Sequence, residues 1–150
     1  MHTEQRSVQA KTTDATQELR FEFGKNWASF AAGLEEDRIS EAQKRLASLL
    51  DVESLKGLRF LDIGCGSGVH SLAALRMGAE RVRAIDLDPE SVGTTRAVLE
   101  RWWRGNNYHI ECKSVFALES EPPMQFDLVY SWGVLHHTGD MARAIRIACR

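Results

Sequence analysis

The segment Leu61-Asp-Ile-Gly-Cys-Gly-Ser-Gly68 constrains this chain more than any other. It closes a short, mostly apolar run, Arg59-Phe-Leu-Asp-Ile-Gly64, which is the pattern of a strand buried in a parallel sheet. Three glycines then stand at alternate positions, Gly64, Gly66 and Gly68. Glycine turns tightly with positive φ, and its missing side chain lets a ligand touch the backbone. A helix is expected from about Gly68 to Met77, with Gly78 just past its end. Its free N-terminal N–H groups would face the same turn. Taken alone, a triple-glycine turn is as well explained by a tight structural corner as by a ligand site.

The rest of the chain alternates strand and helix patterns. Arg81-Val-Arg-Ala-Ile-Asp86 reads as a second strand. Asp88-Pro89 reads as a helix start, an Asp N-cap followed by Pro at the first helical position. Val92, Thr95, Leu99 and Trp102/Trp103 form the inner face of that helix, and Gly105-Asn-Asn ends it. Tyr108–Cys112 is a third strand and Phe126–Ser131 a fourth, with Pro122-Pro123 breaking the chain between them. A final helix is expected from Thr138 or Gly139 through Arg150. Alternation of this kind means right-handed βαβ units and a parallel sheet, with ligands at the strands' carboxyl ends.

Ahead of the sheet, residues 1–20 are polar and read as a disordered arm. Residues 21–57 form an N-terminal segment. It opens with the aromatics Phe21, Phe23, Trp27 and Phe30. An amphipathic helix follows from Glu35 to Leu50, with Ile39, Ala42, Leu46 and Leu49/Leu50 on its inner face. Residues 58–150 form the α/β part. A net charge of −2 over 150 residues does not point to a nucleic-acid partner. No apolar run is long enough to span a membrane, and the polar N-terminus has no signal-peptide core. Cys65, Cys112 and Cys149 are odd in number and far apart, so they suggest unpaired thiols in a reducing, cytoplasmic setting. Cys65 reads as a small buried filler.

The glycine spacing separates nucleotide-binding classes. The dinucleotide fingerprint is G-x-G-x-x-G/A. Here the third glycine comes one residue early and Val69 holds the last position, which disfavours an NAD-type site. No Gly-Lys-Ser/Thr follows, so this is not a phosphate-binding P-loop. Asp86 lies 22 residues after Gly64, where an acid is placed to accept both hydroxyls of a ribose.

With Asp62 inside the motif, the G-x-G-x-G turn resembles motif I of the class I S-adenosylmethionine-dependent methyltransferases. Ala84-Ile-Asp86-Leu-Asp-Pro-Glu90 is similar to the motif that follows. The segment Phe126-Asp-Leu-Val-Tyr-Ser-Trp-Gly-Val-Leu-His-His-Thr-Gly139 resembles the motif after strand four in the small-molecule and lipid/quinone-type members. The resemblance covers Leu58 to Asp140. It implies a Rossmann-like, doubly wound sheet, present here in the order 3-2-1-4 out of seven strands. The chain therefore reads as C-terminally truncated, with the acceptor-binding elements in the missing part.

The resemblance also implies roles. S-adenosyl-L-methionine is the cofactor, and a small molecule is the methyl acceptor. Asp62, Gly64, Cys65, Gly66 and Gly68 hold the cofactor, Asp86 binds its ribose and Leu87 packs on adenine. Ser114 and Val115 replace the acid that often receives the adenine amino group. The Ser131 backbone lies near the methionine end, and Trp132 lines the pocket. Trp27 is a candidate lid. The residues Ser131-Trp-Gly-Val134 differ from the Asp/Asn/Ser-Pro-Pro-aromatic motif of DNA-adenine and protein-glutamine methyltransferases, which argues against that chemistry. The alternatives are a non-catalytic, cofactor-binding or partner-dependent methyltransferase-like protein and, less favoured, an NAD-type domain.

His136 and His137 are the candidate general bases. As neighbours they are expected to point apart, so no metal site is expected. His70, in the first turn of the first sheet helix, reads as structural.

Overall fold

The structure, a computed structural model, describes residues 26–122 and 125–150. The expected arm over 1–20, Phe21, Phe23 and Pro123 lie outside the described residues. Residues 26–32 are helical. They lead into helix α1 (Glu36–Leu50), strand β1 (Arg59–Ile63), α2 (Val69–Arg76), β2 (Arg81–Asp86), α3 (Pro89–Trp102), β3 (Tyr108–Cys112), β4 (Leu128–Tyr130) and α4 (Met141–Ala148). The strands make one all-parallel sheet in the order β3-β2-β1-β4. This is the sheet order expected from the sequence.

Strand alternation sorts the core into two layers. Phe60, Val82, Ala84, Ile110 and Tyr130 face α1, α2 and α3. Leu61, Ile63 and Ile85 face α4 and the 3-10 helix Val115–Ser120. Helix α1 buries Ile39, Ala42 and Leu46 as its period requires. Leu49, expected on that face, is instead exposed. It stands at the end of the helix, where Asp51 turns left-handed (φ 54°) and the chain leaves the core. Helix α3 starts as expected, with the Asp88 carboxylate accepting from the Glu90 N–H. Its Trp102 and Trp103 are half-buried between exposed Arg101 and Arg104.

Two boundaries differ from expectation. Strand β4 keeps three residues instead of Phe126–Ser131. At its upper end the Ser131 hydroxyl, not the backbone N–H, donates to Ile63 O (3.0 Å). Below it, the Asp127 carboxylate accepts from the Arg59 backbone N–H and guanidinium. Helix α4 starts at Met141 with Asp140 as N-cap. It ends at Ala148 rather than running to Arg150: the Cys149 N–H still bonds Ile145 O, but the Arg150 N–H reaches back only three residues, to Ile147 O (3.3 Å).

A charge cluster braces β2 against β3. Arg83, only 6% exposed, donates to Glu111 (2.6 Å) and to both oxygens of Glu121 (2.7 and 2.9 Å). Lys113 bridges the same two carboxylates. The Arg83 and Lys113 bonds hold the Glu121 carboxyl down at about 2. A carboxyl depressed on folding contributes stability that is full above its unfolded value and lost as pH falls towards the folded one. Glu121→Gln is therefore expected to lower stability at neutral pH and to flatten its decline below pH ~4.5. Urea unfolding at pH 7 and pH 3 measures this. Equal losses at both pH values would contradict it.

Candidate functional site

The carboxyl ends of β1, β2 and β4 meet at the glycine turn. The N–H groups of Gly64 and Cys65 both donate to Ile85 O (2.8 and 3.1 Å), which ties the turn to the end of β2. Gly64, Gly66 and Gly68 all have positive φ (78°, 54° and 77°), a region that L side chains avoid. Each glycine also faces a different neighbour. A Cβ on Gly64 would come 2.9 Å from Val134 Cβ. On Gly66 it would come 3.0 Å from the Trp27 indole, and on Gly68 2.8 Å from Thr95 Cα. Packing inside the protein thus accounts for Gly64 and Gly68. Gly66 presents bare backbone to the underside of an aromatic ring from the N-terminal helical segment.

Asp86 ends β2 beside this turn. Its Oδ2 accepts from the Gly66 N–H (3.0 Å) and its Oδ1 from the Asp88 N–H (2.9 Å). Burial raises its pKa, while backbone N–H groups, those of Asp88 and Gly66 foremost, pull it down. A carboxylate oxygen can accept more than one hydrogen bond. The side chain is thus oriented in advance with acceptor capacity to spare. Next to it, Leu87 is 49% exposed, an apolar surface open to a ligand.

Asp62 lies beneath the turn on β1, buried to 2%. The Ser71 hydroxyl of α2 donates to it at 2.6 Å. Burial, with the nearby Asp86 carboxylate, pushes the Asp62 carboxyl up to about 7, against the lowering effect of Ser71. A cation seated close by would favour its ionised form. Cys65 is buried, and burial raises its thiol well above the ordinary range. It is a filler, as expected, and not a nucleophile. His70 is half-buried, held towards neutrality by burial, and tilted onto the Tyr130 ring at 5.0 Å.

The other expected site residues are more dispersed. The Ser114 hydroxyl caps the 3-10 helix by accepting from Phe116 N (3.2 Å). The Val115 side chain is buried in the second core layer. The backbone of both, and the O–H of half-buried Ser114, are left to meet a ligand. Trp132 is 67% exposed. It lines an open groove of about 570 Å³ with Tyr130 and the α1 residues Leu46 and Leu49.

His136 and His137 do not point apart. Their rings lie 3.8 Å centroid to centroid. They sit on the 3-10 turn Leu135–His137, not on extended chain, so adjacent side chains are less than opposite and lean together. Among the described residues, no three His, Cys, Asp or Glu side chains are grouped to hold a metal ion. Sequence pattern assigns Thr95 only to the inner face of α3. It also donates to Gly66 O (3.1 Å) and lies 3.3 Å from Cys65 Sγ.

Residues 60–150 match a methyltransferase-domain family. The chain belongs to that family. Its cofactor is S-adenosyl-L-methionine, as the sequence reading expected. Over 95 residues the chain is 41% identical to a ubiquinone biosynthesis O-methyltransferase of Xanthomonas euvesicatoria pv. vesicatoria, covering 63% of this chain and 38% of that protein. Over 52 residues it is 48% identical to a ribosomal protein L11 methyltransferase of Tolumonas auensis, covering 35% of this chain and 18% of that protein. The matched stretches therefore span well under half of these relatives. The fold is also that of the magnesium protoporphyrin IX methyltransferase of Synechocystis PCC 6803 solved with SAM. That likeness has a TM-score of 0.67 at 21% identity, over 94% of this chain and 73% of the other.

Proposed function

We propose that residues 58–150 are the cofactor-binding part of an S-adenosylmethionine-dependent methyltransferase that acts on a small-molecule acceptor. The observation that carries this reading is the oriented, half-buried Asp86 carboxylate at the end of β2, which accepts from the Gly66 N–H of the glycine turn. On this reading Asp86 accepts from both ribose hydroxyls and Leu87 packs on adenine. The backbone of Ser114 and Val115 meets the adenine edge. The turn Gly64-Cys65-Gly66-Ser67-Gly68 lies along the cofactor, and the Ser131 backbone flanks its methionine end. Asp62 supplies negative charge beneath a cationic ligand. Trp27, already in contact with Gly66, acts as a lid within the segment 21–57. Trp132 lines the acceptor side, and His136 or His137 removes a proton where the acceptor requires it.

The chemistry asks little more of the protein. The cofactor supplies an activated methyl group for in-line transfer. The chain's own residues align, exclude water and hold charge. Two kinds of acceptor stand among the relatives, a quinone-type small molecule and a ribosomal protein. The small-molecule reading is supported by the longer match to the ubiquinone enzyme and by the Val134-Leu-His-His137 segment. Among the described residues no helix is long and apolar enough to cross a membrane. With Cys65, Cys112 and Cys149 all free, we place the protein in the cytoplasm.

Calorimetry against S-adenosylhomocysteine and NADH tests the reading. The expected result is saturable binding of S-adenosylhomocysteine and none of NADH. Binding of NADH alone would overturn it in favour of a dinucleotide site.

A further inference from the structure

We infer that Thr95 is a positioning residue for the cofactor, holding the Gly66 peptide so that Asp86 meets the ribose. The inference rests on the cofactor reading above and adds a residue that no glycine or acidic motif contains.

The contacts form a closed circuit. Asp86 takes the N–H of Gly66 on one oxygen and the N–H of Asp88 on the other. Asp88 caps α3 and also accepts from the Ser91 hydroxyl (3.0 Å). Two turns along that helix, on the same face, Thr95 returns to the start and donates to the carbonyl of Gly66 (3.1 Å). Thr95 is fully buried, and its Cα and Cγ2 fill the space beside Gly68. Both polar groups of Gly66 are therefore held by side chains, one at the end of β2 and one from α3. Without the hydroxyl, Gly66 O is a buried acceptor with no donor, and its peptide gains freedom to rotate. The Gly66 C=O and N–H lie in the two peptides on either side of its Cα, so loosening the first lets φ and ψ of Gly66 shift together, which carries the N–H away from Asp86 and loosens the carboxylate. Binding energy is then lost to reordering the site.

Thr95→Val and Thr95→Ser separate hydroxyl from shape. Valine keeps the branched volume and drops the donor; serine keeps the donor and drops the methyl. Each variant of the full chain is titrated with S-adenosylhomocysteine, and exchange of the Gly66 amide is followed without ligand. Thr95→Val is expected to weaken binding by about tenfold and to speed Gly66 exchange by about the same factor, the scale of one lost hydrogen bond. Thr95→Ser is expected to stay within about twofold on both, since it keeps that bond. In an Asp86→Asn background, Thr95→Val is expected to add little, because it acts through Asp86.

Loss of affinity in both single variants would place the effect in packing and overturn the inference. So would an unchanged Gly66 amide in Thr95→Val. If the native chain does not bind S-adenosylhomocysteine, the cofactor reading fails. Gly66 exchange then decides the role of Thr95 alone: faster in Val and not in Ser supports it, and no change refutes it. Should Thr95→Val not fold, Thr95→Cys, with its weaker donor, is expected to show the same effects at smaller amplitude.

Discussion

Gly68→Ala is expected to lower the stability of the fold by about 3 kcal/mol, the sum of a left-handed alanine and an overpacked core. Gly68 is the N-cap of α2, with φ 77°. An L residue in that region costs about 1–2 kcal/mol before any contact is counted. The new Cβ would then come 2.8 Å from Thr95 Cα. That atom belongs to the backbone of a buried helix, not to the end of a flexible side chain, so it cannot swing aside. Relief requires α3 to move off α2 and the turn, which exposes Val92 and Leu99.

Two further glycines calibrate the result. Gly57 has φ 78°, and a Cβ added there would meet nothing within 4 Å, so Gly57→Ala isolates the backbone cost of about 1 kcal/mol. Gly93 lies in α3 with ordinary helical φ and open space. Gly93→Ala is expected to stabilise by about 0.5–1 kcal/mol through lower backbone entropy in the unfolded chain. Urea denaturation of the three variants gives the order. A Gly68→Ala variant no less stable than Gly57→Ala would mean that α3 yields to the added methyl after all.

Asp86→Asn is expected to weaken S-adenosylhomocysteine binding by about 100-fold, the scale of two charge-assisted hydrogen bonds reduced to neutral ones. The loss has a second source. An amide in place of the carboxylate offers one oxygen, and the Gly66 and Asp88 N–H groups both need an acceptor. Whichever of the two faces the amide NH2 group loses its bond. The fold itself should suffer less, because burial already penalises the ionised Asp86 and a neutral side chain escapes that penalty. Calorimetry together with thermal melting separates the two effects. Undiminished affinity would remove Asp86 from the ribose site and with it the main support for the proposed function. Lost affinity with an equally large loss of stability would point to collapse of the turn instead.

The sequence determined by itself the succession of elements and the glycine turn between β1 and α2. Strand and helix periods, the Asp88-Pro89 start and the glycine turn depend on residues close together in the chain, and all reappear in the structure. So does the sheet order, which the family resemblance of the motifs implied. Boundaries set by distant partners were less legible. Strand β4 stops at Tyr130, beyond which the Ser131 hydroxyl bonds Ile63 O across 68 positions, and α1 leaves Leu49 in solvent where its period predicted burial.

At the site, the glycine turn and Asp86 were visible as types and spacings, but their coupling was not. Only the packing of α3 against α2 and the turn brings Thr95 onto Gly66 and Gly68. Only the register of β1 beside β2 brings Asp86 under the Gly66 N–H. On the other face of the sheet, packing with α4 commits Val115 to the core, the Ser114 hydroxyl caps the 3-10 helix, and Trp132 faces a groove beside α1. The turn that constrained the chain from the start is thus local in its glycines and tertiary in its shape. Glycine makes the left-handed bends possible, and hydrogen bonds from residues 20 to 29 positions away select which way its peptides face.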